Sequence, residues 1–310
     1  MSRYPHERPF APVHDRIPYS PIVDRKPIRW PNGERVAVWV VVNVEHYEYL
    51  PPDQARDPYP RSPHPDVRKY AYNDYANRVG FWRMLEAIDA HEAACTVSLS
   101  VGVLEHFPEV AEAMVARNWD WMNHGTYNTR FVTGMGEEEE ADLYELCNVI
   151  LERHTGQRFR GMLGPFITGT PASPDLMAEA GMSYHADWVH DERPSPLLTR
   201  SGDPFVAMPY SYVHNDGPLF RGPFEGASFA DRCIRAFDRL NTEDDTGGRT
   251  MCIALHPFIF GHPHRIRHLD RLLGHLRQRG AWIAPASQIV DHYLDNNFED
   301  DLLQAQEVQS

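Results

Sequence analysis

Three observations in the sequence predict an α/β fold with a mostly parallel sheet. Seven apolar, strand-like runs alternate with helix-period patterns along most of the chain. The first run, VAVWVVVNV from Val36 to Val44, is apolar almost throughout and rich in valine, as a strand buried in a dry interior would be. Residues able to do chemistry gather where these runs end, and parallel β/α architectures carry their sites at the carboxyl ends of their strands.

The first 30 or so residues are rich in proline and aperiodic, so 1–30 is expected to be an extended arm, either lying over a neighbouring subunit or loose. A single catalytic domain is expected over 31–295. The last stretch, 296–310, reads as a polar, frayed tail. The strand candidates are 36–44, 94–98, 119–123, 160–163, 183–186, 251–255 and 282–284. Helices are expected over 74–90, 108–117, 137–154, 173–180, 229–241, 266–279 and 287–294. Gly136 followed by four glutamates suits a helix start, because negative charge there complements the dipole. Ser173-Pro174-Asp175 is a second start signal, with proline at the first helical position. The insertion from Asp191 to Gly226 reads as a β-hairpin with loops. An open doubly wound sheet and a closed barrel both accommodate this order. No G-x-G-x-x-G or G-x-x-x-x-G-K-[ST] follows any strand, which weighs against a nucleotide site.

With 310 residues, 42% hydrophobic and 24% charged, the composition is that of a soluble globular protein. The net charge of −14 argues against a nucleic-acid partner. No stretch has the apolar length of a membrane span, so a membrane partner is not expected either. The N-terminus lacks the apolar centre of a secretory signal, and a cytoplasmic location is expected. Cys95, Cys147, Cys233 and Cys252 are scattered, as buried free thiols in a reducing compartment would be.

The strand ends are the informative places. The first delivers Asn43, Glu45 and His46; the third delivers Asn123, His124 and Asn128. The fourth enters a shaped turn at Gly164-Pro165-Phe166. The fifth offers His185, Asp187, His190 and Asp191, the insertion His214-Asn215-Asp216, and the sixth His256. Each has an ordinary alternative: Glu45 could be the buried partner of an arginine such as Arg78, and His262, His264 and His268 read as the start of a solvated helix. Several strands sending imidazoles or carboxylates to one rim nonetheless describe a concave site for acid–base or metal chemistry.

The order Glu45, then His124-Gly125-x-x-Asn128, then Gly164-Pro165-Phe166, then Leu255-His256-Pro257 resembles the polysaccharide deacetylase superfamily. Arg78-Val79-Gly80-Phe81-Trp82-Arg83, Asn215-Asp216 and Ala254-Leu255-His256-Pro257 resemble in particular its branch of metal-independent allantoinases and cyclic imide hydrolases. The likeness spans about 31–293. It implies a distorted seven-stranded (β/α) barrel, hydrolysis of a C–N bond and a homotetramer. The chain departs from the sugar deacetylases of the superfamily, which end the first strand in two aspartates and carry H-x-x-x-H. Here Glu45 and His46 stand at the first pair, and His124 and Asn128 at the second. Asparagine is a poor zinc ligand beside imidazole, and Leu163 replaces the arginine before the proline–aromatic turn.

The expected reaction is attack of water on an amide-like carbonyl of a small molecule: an amide, cyclic imide or ureide. Glu45 is the expected base, with a proton affinity raised by burial. His124 would hold the oxyanion and His256 would protonate the leaving nitrogen. His46, Phe81, Trp82, Asn128, Phe166, Asp187, Trp188, Asn215 and Asp216 are the expected substrate contacts. No cofactor is favoured. The alternative is a single zinc ion on His46, His124 and Asn128, serving a deacetylase of N-acetylated sugars. A non-catalytic small-molecule-binding barrel is the remaining alternative.

Overall fold

The structure, a computed structural model, describes residues 14–52, 64–217, 225–243 and 248–309. In β1 (Val36–Val44) every residue is buried, and the two-residue period of a strand divides them between two cores. Val36, Val38, Val40, Val42 and Val44 enter the layer between sheet and helices. Ala37, Trp39 and Val41 enter a second core on the concave face of the sheet. A valine-rich run suits both surfaces, each buried valine contributing about 1.5–3 kcal/mol.

The other strands are β2 (Cys95–Leu99), β3 (Asp120–Asn123), β4 (Gly161–Met162), β5 (Tyr184–His185), β6 (Ser195–Pro196), β7 (Val206–Ala207), β8 (Arg249–Leu255) and β9 (Trp282–Ile283). They form one nine-stranded sheet in the order β6-β7-β5-β4-β3-β2-β1-β8, with β9 beside the first half of β1. All pairings are parallel except β6 with β7. The strand count therefore differs from the expected seven. The extra strands are short: β6 and β7 are the two-residue arms of the expected hairpin, within an insertion of which 218–224 lie outside the described residues.

The chain beyond β7 bends the sheet round on itself. Met208 and Tyr210 donate backbone hydrogen bonds to the carbonyls of His185 and Ala186. A few residues later, Asn215 forms a single parallel bridge with Ala254 of β8.

The helices are α1 (Val67–Tyr75), α2 (Phe81–Ala90), α3 (Gly102–His106), α4 (Pro108–Val115), α5 (Glu137–Thr155), α6 (Ser173–Glu179), α7 (Gly226–Leu240), α8 (Pro257–Phe260), α9 (Pro263–Gln278), α10 (Ala286–Asn296) and α11 (Phe298–Gln309). The helix expected over 74–90 begins earlier and is interrupted by a π-helical turn at Ala76–Gly80. Gly80 there faces the start of α8 so closely that a Cβ would lie 2.1 Å from the Pro257 carbonyl oxygen. Only glycine admits that approach.

Both described termini are tied to the body of the chain. Residues 14–30 lie on their own chain: Arg16 holds both oxygens of Asp175 at 2.7 and 2.6 Å, and Arg25 reaches Asp191 at 2.7 Å. The frayed tail is instead α11, tied down by Asp301, which accepts from Arg193 and, at 2.7 Å, from the Tyr293 hydroxyl. All four cysteines are free and buried. Among the described residues no helix is long and apolar enough to cross a membrane.

Candidate active site

Strand alternation places the site. Continuing the inward series Ala37, Trp39, Val41 along β1 leads to Asn43 and then Glu45. Met122 of β3 faces the same core, so His124 follows on that side. On β8, Cys252 and Ala254 do so, and His256 follows. Three strands thus bring one carboxylate and two imidazoles to the mouth of the concave core. Glu45 Oε1 lies 3.4 Å from His124 Nε2 and 3.6 Å from His256 Nε2. Beneath them is a polar floor, where the Asn43 amide donates to the Tyr210 hydroxyl at 3.0 Å and to the Leu255 carbonyl at 3.2 Å.

Each group is held by a second partner. The Tyr47 hydroxyl donates to Glu45 Oε2, and accepts from the Asn128 amide at 2.6 Å. Asn128 Oδ1 faces His124 Nε2 at 3.0 Å, closing a circuit back to Glu45. His124 Nδ1 lies 2.6 Å from the Leu163 carbonyl oxygen, so both of its ring nitrogens face oxygens. Asp216 Oδ1 meets His256 Nδ1 at 2.6 Å, and Asp216 Oδ2 accepts the His256 backbone N–H at 2.9 Å.

These contacts set the charges. Burial works against a charged His256, but Asp216 and Glu45 push its imidazole up to about 10. Burial alone would raise Glu45. The charge of His256 and the hydrogen bonds of His124 and His256 outweigh it, holding Glu45 well below the usual carboxylate range. The expected upward shift of Glu45 is therefore corrected: its neighbours, not its burial, decide. Burial keeps Asp216 above its ordinary value against the pull of His256. Burial and the adjacent Glu45 hold the Tyr47 phenol far up, so it stays a donor.

The remaining expected residues are dispersed. His46 alternates away from Glu45 into an aromatic cage, its ring centroid 5.1 Å from His106, 5.0 Å from Phe107 and 5.5 Å from Tyr127. Burial first, and then the neighbouring His106, lower it to about 4. Asp187 turns to its own strand end: it accepts from the Gly164 N–H at 2.8 Å and faces His185 Nε2 at 3.1 Å. The indole of Trp188 donates to His185 Nδ1 at 3.2 Å. Asn215 caps the Gly217 N–H at 2.7 Å, while its neighbour Asp216 enters the site. Phe81 is a core residue, with Trp82 edge-on beside it on the outer face of α2. Phe166 is 59% exposed and has a left-handed φ of 58°, as does Ile167 at 56°. The expected turn after β4 is therefore shaped by these two residues. Arg78 is exposed and pairs with Asp74, not Glu45.

The donor set does not fit the zinc alternative. His46 is caged by rings, and the Asn128 amide is engaged at both ends. Among the described residues no group of three or more His, Cys, Asp or Glu side chains is placed to hold a metal ion. Two site residues stand outside those expected from the strand ends: Tyr47, two residues beyond Glu45 and so on the same side, and Asn77, whose amide donates to the Glu45 carbonyl at 3.0 Å.

No protein-family model matches the chain. A Schizosaccharomyces pombe protein named "Putative polysaccharide deacetylase" is 24% identical over 300 residues, covering 86% of this chain and 92% of the relative. A solved structure described as a probable polysaccharide deacetylase from Pseudomonas aeruginosa PAO1 superposes with a TM-score of 0.75 at 26% identity, covering 86% of this chain and 94% of that one. The structure of PuuE allantoinase gives a TM-score of 0.75 at 23% identity, covering 86% and 93%. The chain has the α/β fold of the polysaccharide deacetylase superfamily.

Proposed function

We propose that this chain hydrolyses a non-peptide C–N bond in a small amide, cyclic imide or ureide, using water activated by Glu45 and no metal ion. The carrying observation is a single buried carboxylate oxygen flanked by two imidazoles, one of them backed by Asp216. The yeast relative and one solved structure are named as polysaccharide deacetylases and the other solved structure as an allantoinase, and hydrolase names of this kind support the reading.

In this reading a water beside Glu45 attacks the carbonyl carbon as Glu45 takes its proton. His124 turns its Nε2–H from Asn128 and Glu45 to the oxygen that becomes negative. His256, charged at neutral pH, gives its proton to the nitrogen as the C–N bond breaks. The low proton affinity of Glu45 is compatible with this role because it depends on the charge of His256. Once His256 has released its proton that charge is gone, and Glu45 holds the water's proton more strongly. The two transfers reinforce each other.

The test is a panel of cyclic imides, ureides, linear amides and chitin oligomers, with metal analysis of the purified protein. Turnover of at least one small amide-like compound by protein without stoichiometric metal is expected. Acetate release from chitin oligomers with no turnover of any small compound would overturn the reading. A homotetramer is part of the same proposal. Exposed Tyr19, Ile22 and Val23 on the N-terminal segment offer apolar contacts for it, and light scattering giving a monomer mass at micromolar concentration refutes it.

A further inference from the structure

Beside Glu45 lies a narrow recess, too tight as it stands to hold a water molecule, between the end of β1 and a stripe of α1 and the π-helical turn that follows it. Its walls are Glu45, Tyr47, Tyr70, Asn73, Asp74 and Asn77, with His46 at the margin. Tyr70, Asn73, Asp74 and Asn77 recur at the spacing of one helix face. A helix face turned inward is normally apolar, yet Asn73, Asp74 and Asn77 are buried. Two of their oxygens, Asp74 Oδ1 and Asn77 Oδ1, are shielded from solvent and have no hydrogen-bond partner among the described residues.

The chemical identity of both atoms is fixed by their other halves. Asn77 Nδ2 donates to the Glu45 carbonyl, an oxygen that only accepts, so the opposite end of the amide is its oxygen. Asp74 Oδ2 takes the Arg78 guanidinium, leaving Oδ1 buried without a partner on a residue that lines the recess. Buried acceptors left open in this way need an explanation, and a ligand supplies one. The π-helical turn that carries Asn77 is itself a form frequent at functional sites.

We infer that Asp74 and Asn77 are specificity-determining acceptors that read N–H groups of the substrate next to its scissile carbonyl. The site then selects N-unsubstituted imides, ureides or amides and rejects their N-alkylated or ester counterparts. Tyr70, a half-buried wall residue edge-on to exposed Tyr49 at 5.3 Å, has to swing aside to admit the ligand. This inference rests on the hydrolase reading for the substrate class, but the recess can be tested without turnover.

The experiment compares ethyleneurea, which carries two N–H groups, with its N,N′-dimethyl derivative by calorimetric binding to the full chain. Kinetics on matched N–H and N-methyl cyclic imides and ureides run in parallel. Sites built to hydrogen-bond a polar group reject analogues lacking it by about 10⁴–10⁵-fold, and a preference of about 10²-fold or more for the N–H partner is expected. Asp74→Asn is the diagnostic variant. Arg78 claims the new amide's oxygen, so its NH₂ faces the recess and an acceptor becomes a donor. The N–H preference should fall to within about tenfold, and Asp74→Ala should do the same without adding a donor. Thermal melts confirm that both variants fold. Equal binding of the two ureas, binding of neither, or a preference unchanged in both variants overturns the inference. An N–H preference in binding without turnover of any panel member supports the recess and overturns the hydrolase reading; turnover without preference does the reverse.

Discussion

His256 follows directly on β8 and His46 stands two residues beyond β1 in the same sheet, yet their surroundings drive them to opposite states. His256 lies on the concave side, where Asp216 and Glu45 overcome the cost of burial and push it up to about 10. His46 lies one residue out of phase, among aromatic rings, where burial and His106 bring it down to about 4. The difference teaches that a strand-end histidine is not chemistry in itself. Which face it alternates onto decides whether it meets carboxylates or rings, and that decides whether it carries a proton at neutral pH.

The carboxylate that divides these two environments should give the largest effect. Glu45→Gln keeps size and shape but cannot accept the proton, and should lower kcat by about 10²–10⁴-fold in steady-state assays. An active Gln variant would mean that another group activates the water. Next comes His256→Asn, whose amide can still donate to Asp216 but cannot deliver a proton. A loss of about 10²-fold in kcat with little change in KM is expected, since the proton moves only in the transition state. His256→Ala is a harsher test. It strands a fully buried Asp216 and should also cost about 3–5 kcal/mol of stability, read by denaturant unfolding.

His46→Phe, by contrast, fills an aromatic cage with another ring. It should change stability by about 1.5 kcal/mol or less and leave kcat nearly intact. If the variant instead lost activity together with stoichiometric zinc, His46 would be a ligand and the comparison would collapse.

The last test of the comparison is in pH. The folded-state value of His256 lies above its ordinary 6.5, so its contribution to stability is complete below 6.5 and is lost as pH rises through about 10. The folded-state value of His46 lies below 6.5, so its contribution is complete above 6.5 and is lost as pH falls toward 4. Imidazole NMR titrations should separate the two resonances in this order, and coincident titration near 6.5 would refute it.

Much of this was legible in the sequence. The valine run announced a doubly buried strand, and the polar residues after β1, β3 and β8 marked the rim. Counting the alternation from Ala37 would also have sent Glu45 and Tyr47 inward and His46 outward, a signal present but unused. Other features depended on tertiary contacts. Phe81 reads equally well as a pocket wall or a core residue until α2 is docked. Asp187 and Asp216 look alike at their strand ends, but only Asp216 sits at the bridge to β8. The pairing of Asp74 with Arg78 follows helix spacing, whereas the open face of Asp74 depends on how the π-helical turn meets β1.

The single bridge between Asn215 and Ala254 has a consequence for how the protein fails. The Asp216 N–H donates to the Ala254 carbonyl at 3.1 Å, while the carboxylate of the same residue holds His256. The seam of the sheet and the anchor of the proton donor are one residue. This seam is a lone bridge, whereas β1 and β8 are joined along seven residue pairs, so it belongs to the low-stability end of the fold's opening events. Amide hydrogens along 214–216 should exchange sooner than those of β1. Heating should extinguish activity at a lower temperature than it melts the valine core, because the strand that releases first takes Asp216 with it.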